Sequence, residues 1–184
     1  SFRLLQLPIG IFAVGIATIA LPELSRILAK SKGVMNVESN AVFFSSLDLA
    51  LWLVAPCFAF IACNALEITS LLYEHGNFTR QDSLATADAL YYYSFGIFAY
   101  AAVKVLGAFY YAIGRTRFAM LVSLLGIFTN AFLNYLLVKE YAQNGLALTA
   151  SLVLSMHALL LFFGALYLGV RYSIFKIFSS LTTL

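Results

Sequence analysis

Lys104, in YAAVKVLGAFYYA, holds the position in this sequence that most needs a chemical explanation. It lies about nine residues before the end of an apolar run, so roughly 14 Å inside any bilayer that the run crosses. An ammonium at that depth costs about 2.5–3.5 kcal/mol on insertion scales. It is expected to face a polar cavity or a partner inside a bundle, or else to snorkel toward the interface along its four-carbon stem. Arg3 poses the same choice near the outer end of the first apolar run: an interfacial anchor, or a cavity cation. Gln6 stands one turn on, followed by Gly10, Ala13 and Ala17, which together draw a small and polar stripe on one helical face. Pro8 cannot donate to the carbonyl of Leu4 and leaves an acceptor beside the guanidinium. A basic, irregular helix start facing a partner bundle suits an anionic group, and forked donors suit phosphate oxygens.

Other polar residues inside apolar runs have two readings each. Asn130 and Asn134, in FTNAFLNYLL, stand one turn apart and either bond between helices or line a cavity. His157, with Ser151 and Ser155 nearby, is a packing histidine or a proton relay. Asp48 and Glu67 read as interfacial acids. There is no paired-carboxylate motif, no HExxH, no nucleophile elbow and no Gly-rich phosphate loop with its lysine, so neither an enzyme nor a cofactor is expected. Cys57 and Cys63 are the only cysteines, without a His or Cys pair at ligand spacing, so no metal site or disulfide framework is expected.

The elements that must position these residues are membrane spans. Hydrophobic residues make up 62% of the 184 and charged residues 10%, with a mean hydropathy of +0.93. A soluble domain sits nearer half apolar and about a quarter charged. Five runs are each long enough to cross about 30 Å of hydrocarbon: about 4–24, 43–73, 88–113, 118–138 and 145–170. The fold class is therefore all-α, a polytopic transmembrane helix bundle. The N-terminus lacks the basic region and cleavage site of a signal peptide, and its apolar run is too long for one. Without an initiator methionine, the chain reads as an internal piece of a longer protein. A net charge of +3 with no dense basic tract gives nucleic acid nothing to bind.

Charge in the connectors orients the bundle. Arg26, Lys30 and Lys32 follow the first run, Arg115 and Arg117 the third, and Arg171 and Lys176 the fifth. The alternate connectors hold Arg80 and Lys139, each offset by an acid such as Asp82 or Glu140. The positive loops face the cytoplasm, so the first span runs from outside to inside and the others alternate. Local signals predict a capping box from Thr79 to Asp82, a second helix ending near Glu74 before the Gly76 turn, loop breaks at Gly33 and Asn36, and a kink at Pro56.

The strings RLLQLPIGIFAVGIATIALPELSR, LLYEHGNFTRQDS, VKVLGAFYYAIGRTR and NGLALTASL resemble the MurJ/MviN lipid II flippases of the multidrug/oligosaccharidyl-lipid/polysaccharide exporter superfamily, in order and over nearly the whole chain. The resemblance implies a fourteen-helix protein of two lobes around a central cavity. Residues 1–184 would be part of its C-terminal lobe, from about the eighth helix to after the twelfth. It implies translocation of undecaprenyl-pyrophosphate-linked peptidoglycan precursor from the inner to the outer leaflet by alternating access, as a multi-pass protein of the bacterial cytoplasmic (inner) membrane. The partners it implies are the lipid-linked pyrophosphate, membrane lipid and the N-terminal lobe of the same protein. The family's cavity arginine falls on Arg3, in the R-L-x-x-L-P string with Gln6, and Lys104 falls on its V-K-V-L position. Departures are FYYAIGRTRFA, which lacks the acid and proline common in that turn, His75 where an arginine is common, His157 where an asparagine is common, and Asp48 where the family is often neutral or basic.

The nearest alternative is a related exporter of another lipid-linked oligosaccharide or of cationic drugs, the latter expected to carry acidic cavity residues. A membrane enzyme acting on polyprenyl phosphates would need a convergent acid or His cluster, whereas the acids here are dispersed. A scaffold subunit of the wall-synthesis machinery would not bind lipid-linked pyrophosphate.

Overall fold

The computed structural model describes residues 9–31, 35–74, 78–168 and 170. These residues form helices and connectors, with no strand among them. A π-helical segment, Ile9–Val14, leads into α1, Gly15–Lys30. Then follow α2, Val37–Cys63, and α3, Ala65–Tyr73, and after a connector α4, Arg80–Ser94, and α5, Gly96–Ala112. The last element, α6, is helical from Thr116 to Tyr167. Ser123 Oγ nevertheless lies 3.4 Å from His157 Nε2, where a straight helix would separate them by about 50 Å. So α6 is a hairpin, with a first arm Thr116–Leu137 and a second arm Gly145–Tyr167.

Four helices are long and apolar enough to cross a membrane: Gly10–Lys30, Val37–Cys63 and the two arms. A fifth span is made if α4 and α5, bent by 44° at their junction, cross as one.

Helix ends follow local chemistry. Thr79 accepts from the backbone N–H of Asp82, whose carboxylate accepts from Thr79 N–H, closing the capping box that the sequence predicts. Asn36 does more than break a loop. It caps α2, accepting from Ser39 N–H at 2.8 Å while Ser39 Oγ accepts from Asn36 N–H at 2.9 Å. The helix expected to end near Glu74 does so, with α3 stopping at Tyr73. Gly33 and Gly76 lie outside the described residues.

The second span is interrupted at a residue that the sequence reading did not single out. Helix α2 continues through Pro56, and the interruption falls at Asn64. There the Asn64 amide Nδ2 donates to Phe60 O at 2.9 Å, alongside the Asn64 backbone N–H at 3.1 Å. A short amide competing for backbone acceptors ends a helix in this way, whereas the carbonyl freed by an intramembrane proline is re-satisfied by its surroundings.

Helix α5 is the centre of the bundle, packed by the π segment, α1, α2 and both arms. Its first half sits in an alanine-rich cluster with Ala13, Val54, Ala65, Ala87, Leu90 and Ala101. Its second half sits in an aromatic cluster with Leu24, Phe43, Phe109, Tyr110 and Leu161. The contacts fix directions. Gly96 lies against Ser151 and Tyr110 against Leu161, so α5 and the second arm run parallel. Ser123 meets His157 and Gly126 meets Val153, so the two arms are antiparallel. This is the alternation that the loop charges require.

Candidate functional site

Lys104 stands in the middle of α5, eight residues from Gly96 and eight from Ala112, about 12 Å from either end. Its Nζ lies 5.0 Å from the centroid of the Tyr100 ring. Tyr100 is one turn toward the bend, away from the positively charged GRTR connector. Helical side chains lean toward the N-terminus, and here that lean carries the ammonium away from the interface to which snorkelling would take it. A ring face beneath a cation contributes about 0.5–2 kcal/mol, more as water is excluded.

The two ion pairs among the described residues are Arg26–Glu23 and Arg80–Glu74, so Lys104 has no ion pair among them. The face it occupies is partly open, with Lys104 and Gly107 both half-buried. A Cβ on Gly107 would meet nothing within 4 Å, and Tyr111, one turn further along, is 60% exposed.

The other polar residues form two small groups on α6. Asn134 Nδ2 donates to Asn130 Oδ1 at 2.9 Å, so these two bond along their own arm rather than across helices. Asn134 Oδ1 is buried and accepts nothing among the described residues. His157 reaches Ser123 on the facing arm at 3.4 Å, and Ser155 Oγ donates to Ser151 O at 2.8 Å. No described hydrogen bond joins either group to Lys104. Arg3 and Gln6 lie outside the described residues, as does Pro8. The first described turn after Pro8 is π-helical, an irregularity frequent at functional sites. The small stripe that continues from Gln6 divides: Ala13 is fully buried against the alanine-rich cluster, while Gly10 is exposed. Asp48 is partly buried and Glu67 exposed. No group of three or more His, Cys, Asp or Glu among the described residues is placed to hold a metal.

Sequence reasoning missed two glycines. Gly96 and Gly164 are contact points, each with a side chain of another helix in the space a Cβ would fill. Isolated glycines inside apolar runs were the available signal, since small residues let membrane helices approach closely.

A multi-span helix bundle with a cation in the middle of an apolar helix is an architecture found among membrane carriers. The comparisons then assign it: the chain belongs to the family described as Lipid II flippase MurJ, whose model it matches over residues 1–177. It is 31% identical over 153 residues to the probable lipid II flippase MurJ of Rickettsia prowazekii (strain Madrid E), covering 82% of this chain and 29% of that protein. Over 161 residues it is 31% identical to that of Rhizobium meliloti (strain 1021), covering 87% of this chain and 29% of that protein. Among solved structures it is similar to a lipid II flippase MurJ in an inward closed conformation, with a TM-score of 0.78 and 26% identity over 89% of this chain and 34% of that one. The chain thus spans about three tenths of the length of these curated relatives.

Proposed function

We propose that these residues are part of the C-terminal lobe of a lipid II flippase of the bacterial inner membrane. The whole protein would move undecaprenyl-pyrophosphate-linked peptidoglycan precursor from the inner to the outer leaflet by alternating access, breaking and making no covalent bond. The observation that carries this reading, beside family membership, is Lys104: a half-buried ammonium in the middle of α5, over Tyr100, with no ion pair among the described residues. An anionic diphosphate between two lobes would supply the missing charge, and Arg3 and Gln6 would add donors from the start of the first helix. The N-terminal lobe of the same protein would close the cavity, and the lipid tail would stay in the bilayer.

The test uses the full-length protein in cells depleted of their own lipid II flippase. Arg3→Ala should abolish complementation while leaving membrane abundance unchanged. Lys104→Ala should weaken binding of lipid-linked pyrophosphate by about tenfold or more, the scale of one charge-assisted hydrogen bond, and Lys104→Arg should restore most of it. Normal growth of the Arg3 variant together with unchanged binding by the Lys104 variant would refute the site.

A further inference from the structure

Helices α4 and α5 meet at a bend of 44°, yet none of the chain's three prolines lies in either helix. Without proline, sharp kinks come from Gly/Ser pairs or from a side chain inserted into the backbone ladder. Both occur here. Ser94 Oγ donates to Tyr91 O at 2.7 Å, and Ser151 Oγ, from the second arm of α6, donates to Tyr92 O at 2.8 Å. In an uninterrupted α-helix Tyr92 O would accept from Gly96 N–H, so Ser151 takes up an acceptor that belongs to the straight form. Gly96 is what lets it in: a Cβ there would stand 2.9 Å from Ser151 Oγ and 3.2 Å from Ser151 Cα.

The surroundings allow movement. The bend lies in the alanine-rich half of the core, and beside it runs a cleft of about 340 Å³ lined by Tyr92, Phe95, Leu148, Ser151, Leu152 and Ser155. At its far end α4 is tied to α3, because Arg80 donates to Ser70 Oγ at 2.7 Å and to Glu74 Oε2 at 3.3 Å. The two helices therefore form one leg.

We propose that the α4–α5 junction is a hinge and that the Ser151 hydroxyl is its latch. Latched, Tyr92 O is held by the second arm and the span is bent. Released, Tyr92 O returns to Gly96 N–H and the α4 leg swings toward the axis of α5. Fifteen residues make a leg of about 22 Å, so a full 44° swing carries its tip through about 16 Å. The inference rests on the geometry of the bend and not on what the protein carries.

The experiment places spin labels at the exposed Leu84, on α4, and Leu146, at the start of the second arm, in the full-length protein in lipid nanodiscs. In Ser151→Ala, which removes the donor and keeps the packing, the distance distribution should shift or gain a second population displaced by several ångströms. Ser151→Cys, a weaker donor of similar size, should fall between that variant and the parent. Gly96→Ala, which wedges the two helices apart, should shift the distribution at least as far. A Ser151→Ala distribution that superimposes on the parent overturns the latch, whatever the wedge variant does. Transport is not the readout, so a failure of the flippase reading leaves this outcome intact.

Discussion

Helix α5 and the second arm of α6 meet through a glycine at each end of their seam, and the two ends are built on opposite plans. At the Gly96 end, one serine hydroxyl crosses to a backbone carbonyl amid alanines, with a cleft alongside. At the Gly164 end, the space a Cβ would occupy holds Tyr110 Oη at 2.5 Å and the Phe118 ring edge at 2.6–2.8 Å. Tyr110 is wholly buried and donates to Leu161 O at 2.8 Å, with Phe109 edge-on and Phe118 tilted against its ring. Packing in membranes rests on van der Waals contact and a few hydrogen bonds, because lipid is as apolar as leucine. The aromatic end has both across the seam itself, whereas at the serine end the ring contacts of Phe58 with Phe95 and Phe98 lie on the α2 side of α5 and the polar tie across the seam is the single Ser151 bond. The contrast assigns a fixed body to one half of the described bundle and, on the hinge proposal, a movable leg to the other.

The largest effect should come from filling the aromatic end. Gly164→Ala puts a methyl into Tyr110 Oη and Phe118, and overpacking of that kind costs about 1–3 kcal/mol. The melting temperature of the purified protein should fall clearly, and an unchanged value would mean that the two ends do not differ in rigidity. Tyr110→Phe should cost about 1 kcal/mol through the lost bond to Leu161 O. Because it also removes the nearest clashing atom, the double variant with Gly164→Ala should be less destabilised than the sum of the singles. Additive losses in that cycle would show that Tyr110 is not what fills the glycine gap.

The smallest effect concerns the root of the movable leg. The Ser70 hydroxyl bond, with Arg80 beside it, holds the Glu74 carboxyl below its ordinary value of 4.5. The depressed value means that this contribution is present above pH 4.5 and lost as pH falls through the lower folded value. Arg80 is exposed and Glu74 partly so, which keeps the contribution slight. Glu74→Gln should melt marginally below the parent at pH 7, and the two curves should converge in acid. A gap that widens with acidification would contradict the clamp.

Much of this was legible in the residue order. The capping box at Thr79 and Asp82 and the stop before Glu74 depend on neighbours three or four positions away, so pattern alone finds them. The alternation of spans followed from Arg26, Arg115 and their neighbours, and the parallel seam between α5 and the second arm agrees with it. Helix α2 continues through Pro56, because removing one donor is tolerated when the rest of the span is held. Asn64 was overlooked because its effect depends on a local bond to Phe60 O rather than on residue type. Asn130 and Asn134 were placed on one face, and the structure shows that they spend a hydrogen bond on each other.

The sequence by itself determined the class of protein, about five crossings and their alternation, because apolar length and loop charge act locally against a bilayer of fixed thickness. Tertiary packing alone settles which glycines are contacts, where α4 and α5 bend, which carbonyl Tyr110 reaches 51 positions away, and that the Lys104 ammonium lies over Tyr100. Those outcomes depend on which helix stands beside which, and in a chain so uniformly apolar the hydrophobic pattern carries no preference among neighbours.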